Sequence, residues 1–131
     1  MTSAYPITLI SASILGLLLI ILSLYTVKLR LKLQVSMGDG GHEQLLKAVR
    51  AHGNFTEYAP IALLLVFLIE ASQADSRLVL GAGILLVTGR ILHAIGLTRG
   101  DTVNKFRQVG TMFTWLSILI CSITGLVISF G

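Results

Sequence analysis

"VRAHGNFTEYAPIALLL", Val49 to Leu65, decides the fold. Its first half carries an arginine, a histidine, an asparagine and a glutamate, and its second half is an apolar run suited to a bilayer. Tyr58 to Ile69 offers only twelve uncharged residues, whereas a crossing helix needs about 20. The helix that enters the membrane here must therefore include the polar residues before it, back to about Glu43. The same arithmetic applies to Leu78 to Gly89, again twelve uncharged residues, which must run on to about Leu97. The chain ends are simpler, with no charged side chain from Met1 to Val27 or from Gln108 to Gly131. The expected fold is an all-α integral membrane protein, one domain over residues 1–131, with helices about 5–33, 43–71, 76–98 and 104–129. The connections fall near 34–42, 71–76 and 98–103.

Composition agrees with this reading. Charged residues make up 12% of the chain and hydrophobic ones 54%, against roughly 25% charged in soluble domains. The apolar start has no basic region before it and is followed by basic residues, so it reads as a retained helix rather than a cleaved leader. The single cysteine, Cys121, lies in the last apolar run and has no intramolecular partner. "GDGG", Gly38 to Gly41, marks a turn. No Gly-Lys-Ser/Thr follows it, so it is not a phosphate loop. Pro60 falls inside the second helix, where a lost hydrogen bond permits a kink.

The positive charges are unevenly placed. Lys28, Arg30, Lys32, Lys47 and Arg50 flank the first connection and Arg99, Lys105 and Arg107 the third, while the second has Arg77 against Glu70 and Asp75. The positive-inside rule puts the first and third connections in the cytoplasm and both termini on the opposite side. The basic residues thus act as topology signals, and nothing points to nucleic acid. Lys28, Arg30, Lys32, Arg99 and Lys105 fit solvated or lipid-headgroup positions.

Arg50, Asn54 and Glu57 follow at i, i+4 and i+7, on one face of a helix. Arg90 and His93 share a face of the third helix. With Arg107 at the start of the fourth, all of these lie toward the basic ends of their helices. Ionisable groups inside membrane helices cost about 2.5 to 3.5 kcal/mol each at the helix centre and usually face a bundle interior or cavity. An Arg50–Glu57 ion pair is one structural role for them. His42, His52 and His93 are the candidate metal ligands, but their spacing matches no metal motif and the nearby arginines repel cations. No metal is expected. Clustered arginines instead suit an anion with carboxylates.

The pattern Arg-Ala-x-x-Asn-x-x-Glu-Tyr-x-Pro in Arg50 to Pro60, with "GRILHAIG" at Gly89 to Gly96 and Arg107 on the fourth helix, resembles the MAPEG family, membrane-associated proteins in eicosanoid and glutathione metabolism. Gly38 to Leu65 is most similar to a bacterial inner-membrane branch. The resemblance implies a homotrimer of four-helix subunits that binds glutathione in clefts between neighbours, open to the cytoplasm. Arg50, Asn54, Glu57, Tyr58, Arg90 and His93 would then hold glutathione. Arg107 would be the catalytic residue that stabilises its thiolate. A basic contact from the first helix would come from Arg30, with Lys28 as the alternative. The activity implied is glutathione transfer to lipophilic electrophiles, or glutathione peroxidase. Leu97 stands where the eicosanoid enzymes often carry tyrosine, which argues against eicosanoid synthesis. The contrasting reading is a noncatalytic trimeric scaffold whose polar residues are structural.

Overall fold

A computed structural model describes residues 3–99 and 104–131. It contains four helices, α1 (Pro6–Leu33), α2 (Glu43–Ala71), α3 (Ser76–Arg99) and α4 (Lys105–Phe130). Each is long and apolar enough to cross a membrane. Residues 100–103 of the third connection lie outside the described residues. Helices are the form an open chain must take in hydrocarbon, because only they satisfy every backbone donor and acceptor within the segment. α2 runs as one helix through Pro60.

α2 and α3 form the centre of the bundle. Each touches both α1 and α4, which do not touch one another. The surface is inverted relative to a water-soluble protein: Leu17 is 68% exposed and Leu24 63%, as expected where lipid is the solvent. On α4 the residues that face inward are small. Gly110, Thr114, Ser117 and Cys121 are the buried residues of α4, a stripe at i, i+4, i+7 and i+11 against α3. Ser117 donates from its hydroxyl to the Ala82 carbonyl at 2.8 Å. A Cβ on Gly89 would sit 2.9 Å from the Gly110 carbonyl. Lipid tails are as apolar as leucine, so packing at this range and interhelical hydrogen bonds take over the role of the hydrophobic effect.

The helix ends are fixed by particular side chains. Pro6 opens α1 where its missing N–H is not needed, and the Glu70 carboxylate at the end of α2 accepts from the next two donors, Ile7 N at 2.9 Å and Thr8 N at 2.8 Å. This places a negative charge on the positive end of the α1 dipole and ties α1 to α2. Asp75 Oδ1 accepts from Arg77 N at 2.8 Å to start α3, and Asn104 Oδ1 from Phe106 N at 2.8 Å to start α4. In the first connection Gly38, Gly40 and Gly41 have φ of 66°, 59° and 79°, the left-handed region that glycine enters without a Cβ penalty. These ends put the first connection, the C-terminus of α3 and the N-terminus of α4 at one end of the bundle.

Candidate functional site

α2 divides its surface by helical periodicity. Leu45, Ala48, Ala51, Phe55, Ala59 and Ala62 are buried against the bundle. Leu46, Arg50, Glu57 and Ile61 are exposed. The polar face of α2 therefore looks outward from the single chain. At the basic end this face borders a groove of about 340 Å³ lined by Leu46, Lys47, Arg50 and Asn54 from α2, His93 and Leu97 from α3, and Arg107 from α4.

The α3–α4 crossing builds the far wall. Gly89, His93 and Gly96 lie at i, i+4 and i+7 on the face of α3 that meets α4. A Cβ at Gly110 would be 2.5 Å from the His93 backbone nitrogen, and one at Gly96 would overlap the Arg107 backbone nitrogen. Glycine at these positions lets the two helices close until His93 and Arg107 border one cavity. His93 is buried, makes no hydrogen bond among the described residues and faces the groove.

Arg90 sits behind the groove. It is 2% exposed, and its Nη1 donates to both the Oδ1 (3.0 Å) and backbone oxygen (3.2 Å) of Asn54. Its guanidinium carbon lies 5.6 Å from the Tyr58 ring centroid, within cation–π range. Its Nε is buried without a partner among the described residues, and no carboxylate there pairs with it. Arg90 thus orients Asn54 and Tyr58 and adds an uncompensated positive charge to the groove floor. The described residues contain one ion pair, Lys47 Nζ to Glu43 Oε1 at 2.7 Å.

Of the residues singled out in the sequence, Arg50, Asn54, His93 and Arg107 come together in the groove. Arg90 and Tyr58 form its backing. Glu57 lies on the outward stripe of α2, exposed, and forms no ion pair with Arg50. Arg30 turns to its own connection, donating to the carbonyls of Gly38 (3.0 Å) and Val35 (3.4 Å). It borders a separate cleft with Gln34 and Ser36. Lys47, which the sequence offers only as a topology charge, also joins the groove; its place at i−3 from Arg50 is the signal that finds it. No group of three metal-ligating side chains lies together among the described residues.

Fold and site together define a four-helix integral membrane protein with a cationic groove at one end of its bundle. The sequence profile of the MAPEG family matches residues 8–127, and the chain belongs to that family. It is similar to the inner membrane protein YecN of Escherichia coli K12, 36% identical over 111 residues that cover 85% of this chain and 83% of that protein. YecN of Escherichia coli O6:H1 matches equally. No solved structure matches the chain.

Proposed function

We propose that the protein is a glutathione transferase, or a glutathione peroxidase, of a bacterial inner membrane, and that it acts on lipophilic electrophiles that partition into the bilayer. The observation that carries this reading is the groove, where Lys47, Arg50, His93 and Arg107 meet with no carboxylate among its lining residues. Glutathione as the thiolate has two carboxylates, one sulfur anion and one ammonium. Arg50 supplies a bidentate partner for the carboxylates, and Lys47, already paired with the exposed Glu43, adds a point charge at the rim. Asn54, held by Arg90, supplies a fixed amide. Arg107 stands for the sulfur: a thiol ordinarily ionises near 8.5, and an adjacent cation raises the thiolate fraction at neutral pH. The protein contributes thiolate stabilisation and proximity, without a covalent enzyme intermediate.

The one acid of the expected set, Glu57, lies at the midpoint of α2 and is exposed on the single chain. A carboxylate at that depth faces a protein or a cavity rather than lipid. A neighbouring copy that covers it closes the groove, places Glu57 against the ammonium of glutathione, and brings in Arg30 or Lys28 from the other chain. The assembly is a homotrimer with its groove open to the cytoplasm and its termini on the opposite side. Leu97 lines the groove and brings no hydroxyl to it, which favours simple conjugation over eicosanoid synthesis.

The scaffold reading draws on one observation, that Arg90 holds Asn54 and Tyr58 and is itself structural. Calorimetry on the detergent-solubilised protein separates the two. Saturable glutathione binding that weakens in Arg50→Ala supports the enzyme, and the absence of saturable binding supports the scaffold.

A further inference from the structure

α1 and α3 run in the same direction, and the seam between them has two cavities. One of about 210 Å³ at the basic end is lined by Ile21, Leu22, Tyr25, Thr98 and Arg99. The other, of about 200 Å³, lies deeper, with Ile10, Ile14, Ile84 and Val87 among its walls. On α1 the stripe Ile10, Ile14, Leu17, Ile21 keeps helical spacing and leaves each residue exposed, then continues as Tyr25 and Lys28. On α3 the matching stripe Leu80, Ile84, Ile91, Ile95 is also exposed and ends at Thr98 and Arg99. Exposed apolar side chains thus follow the seam from one cavity to the other, and its mouth is cationic.

The mouth is equipped for an anion. Arg99 lines this mouth, is exposed and has no carboxylate partner among the described residues. The Tyr25 hydroxyl accepts from Gln44 Nε2 at 3.3 Å, and its own proton has no acceptor among the described residues. Thr98 donates its hydroxyl proton to the Ala94 carbonyl at 2.7 Å, so it adds no donor to the channel below. From Tyr25, half of a hydrocarbon core about 30 Å thick is about ten residues of helix rise. That depth ends near Leu15, beside Ile14, where the deeper cavity begins. One leaflet of acyl chain thus fits between the two cavities.

We propose that the α1–α3 seam is a binding site for an anionic phospholipid, whose phosphate rests between Arg99 and Tyr25 and whose acyl chain lies along Ile21, Leu17 and Ile14. Charge complementarity selects the occupant: basic pockets between membrane helices suit anionic headgroups. The site is on the opposite side of α3 from α4 and stands independently of the glutathione reading.

Native mass spectrometry of the full-length detergent-solubilised protein, titrated with phosphatidylglycerol or with phosphatidylcholine of the same acyl chains, tests this. Phosphatidylglycerol should bind in preference. Each interfacial cation contributes about a factor of five to anionic-lipid binding, so Arg99→Gln should weaken it by about fivefold. Arg99→Lys should retain it, Lys105→Gln on α4 should leave it unchanged, and Ile21→Trp should obstruct both lipids. Equal binding of the two lipids, or indifference to Arg99→Gln in a protein that melts like the wild type, would overturn the proposal. So would free glycerol phosphate competing as well as the lipid, or cross-linking between copies through Ile84→Cys with no lipid retained.

Discussion

Gly110→Ala isolates the contact on which the groove depends. The new Cβ would lie 2.5 Å from the His93 backbone nitrogen and 2.6 Å from the Gly89 carbonyl oxygen. Both are main-chain atoms that no rotamer change moves. Ordinary contact begins at 3.4 Å, so α3 and α4 must part by about 0.9 Å over several buried residues. Overpacking of this kind costs about 1–3 kcal/mol, and the better helix propensity of alanine returns up to about 1 kcal/mol. The expected net loss is about 1–2 kcal/mol, a drop of several degrees in melting temperature. Cys121 is the single cysteine and is buried, so a thiol-reactive fluorogenic dye reports unfolding in detergent directly. Gly81→Ala and Gly125→Ala serve as controls, because nothing lies within 4 Å of the Cβ that either would add. They should melt at or above the wild type. A Gly110→Ala protein that melts with these controls would refute the argument that backbone proximity sets the α3–α4 crossing.

The remaining predictions concern single side chains. Glu70→Gln keeps one acceptor for the α1 N-terminus but loses the charge and one of two hydrogen bonds; the dye melt should show a loss of about 1–2 kcal/mol. Arg90→Lys removes the guanidinium whose Nη1 donates to both oxygens of Asn54 and which lies against the Tyr58 ring, so glutathione affinity by calorimetry should fall about tenfold while the bundle stays helical by circular dichroism. Glu57→Gln should weaken glutathione binding and leave the trimer intact by light scattering, whereas loss of the trimer alone would assign Glu57 a structural role.

The four helices are legible in the sequence because charge is absent from both chain ends and interrupts the middle of the chain. Arg50, Asn54, His93 and Arg107 meet in one groove because polar groups in a mostly apolar chain have few places to go. Periodicity fixes which residues share a face, but not how far a helix turns about its axis toward its neighbours. That is why Arg90, expected in the groove with His93, points instead to Asn54 and Tyr58, and why Arg30 closes its own connection. Glu70 reads as a loop charge in "EASQADSR", yet its partners are 62 and 63 residues away in sequence, beyond any local signal. The α3–α4 contact was legible in principle: Gly89 and Gly96 are two turns apart on one face, and Gly110, Thr114 and Ser117 repeat small residues at helical spacing.

In the proposed function the groove holds glutathione as a thiolate against Arg107. Thiolate absorbance in the far ultraviolet, titrated against pH with saturating glutathione, tests it directly in the wild type and in Arg107→Ala. A cation beside sulfur favours the anion, so the wild-type transition should fall below the ordinary thiol value near 8.5. Removing the cation should move that transition to higher pH by about one unit, equivalent to about 1.4 kcal/mol. Arg50→Ala should weaken binding and leave the transition of the bound thiol in place. A titration that is the same in the wild type and Arg107→Ala, with glutathione bound in both, would contradict the assignment of Arg107 to the thiolate.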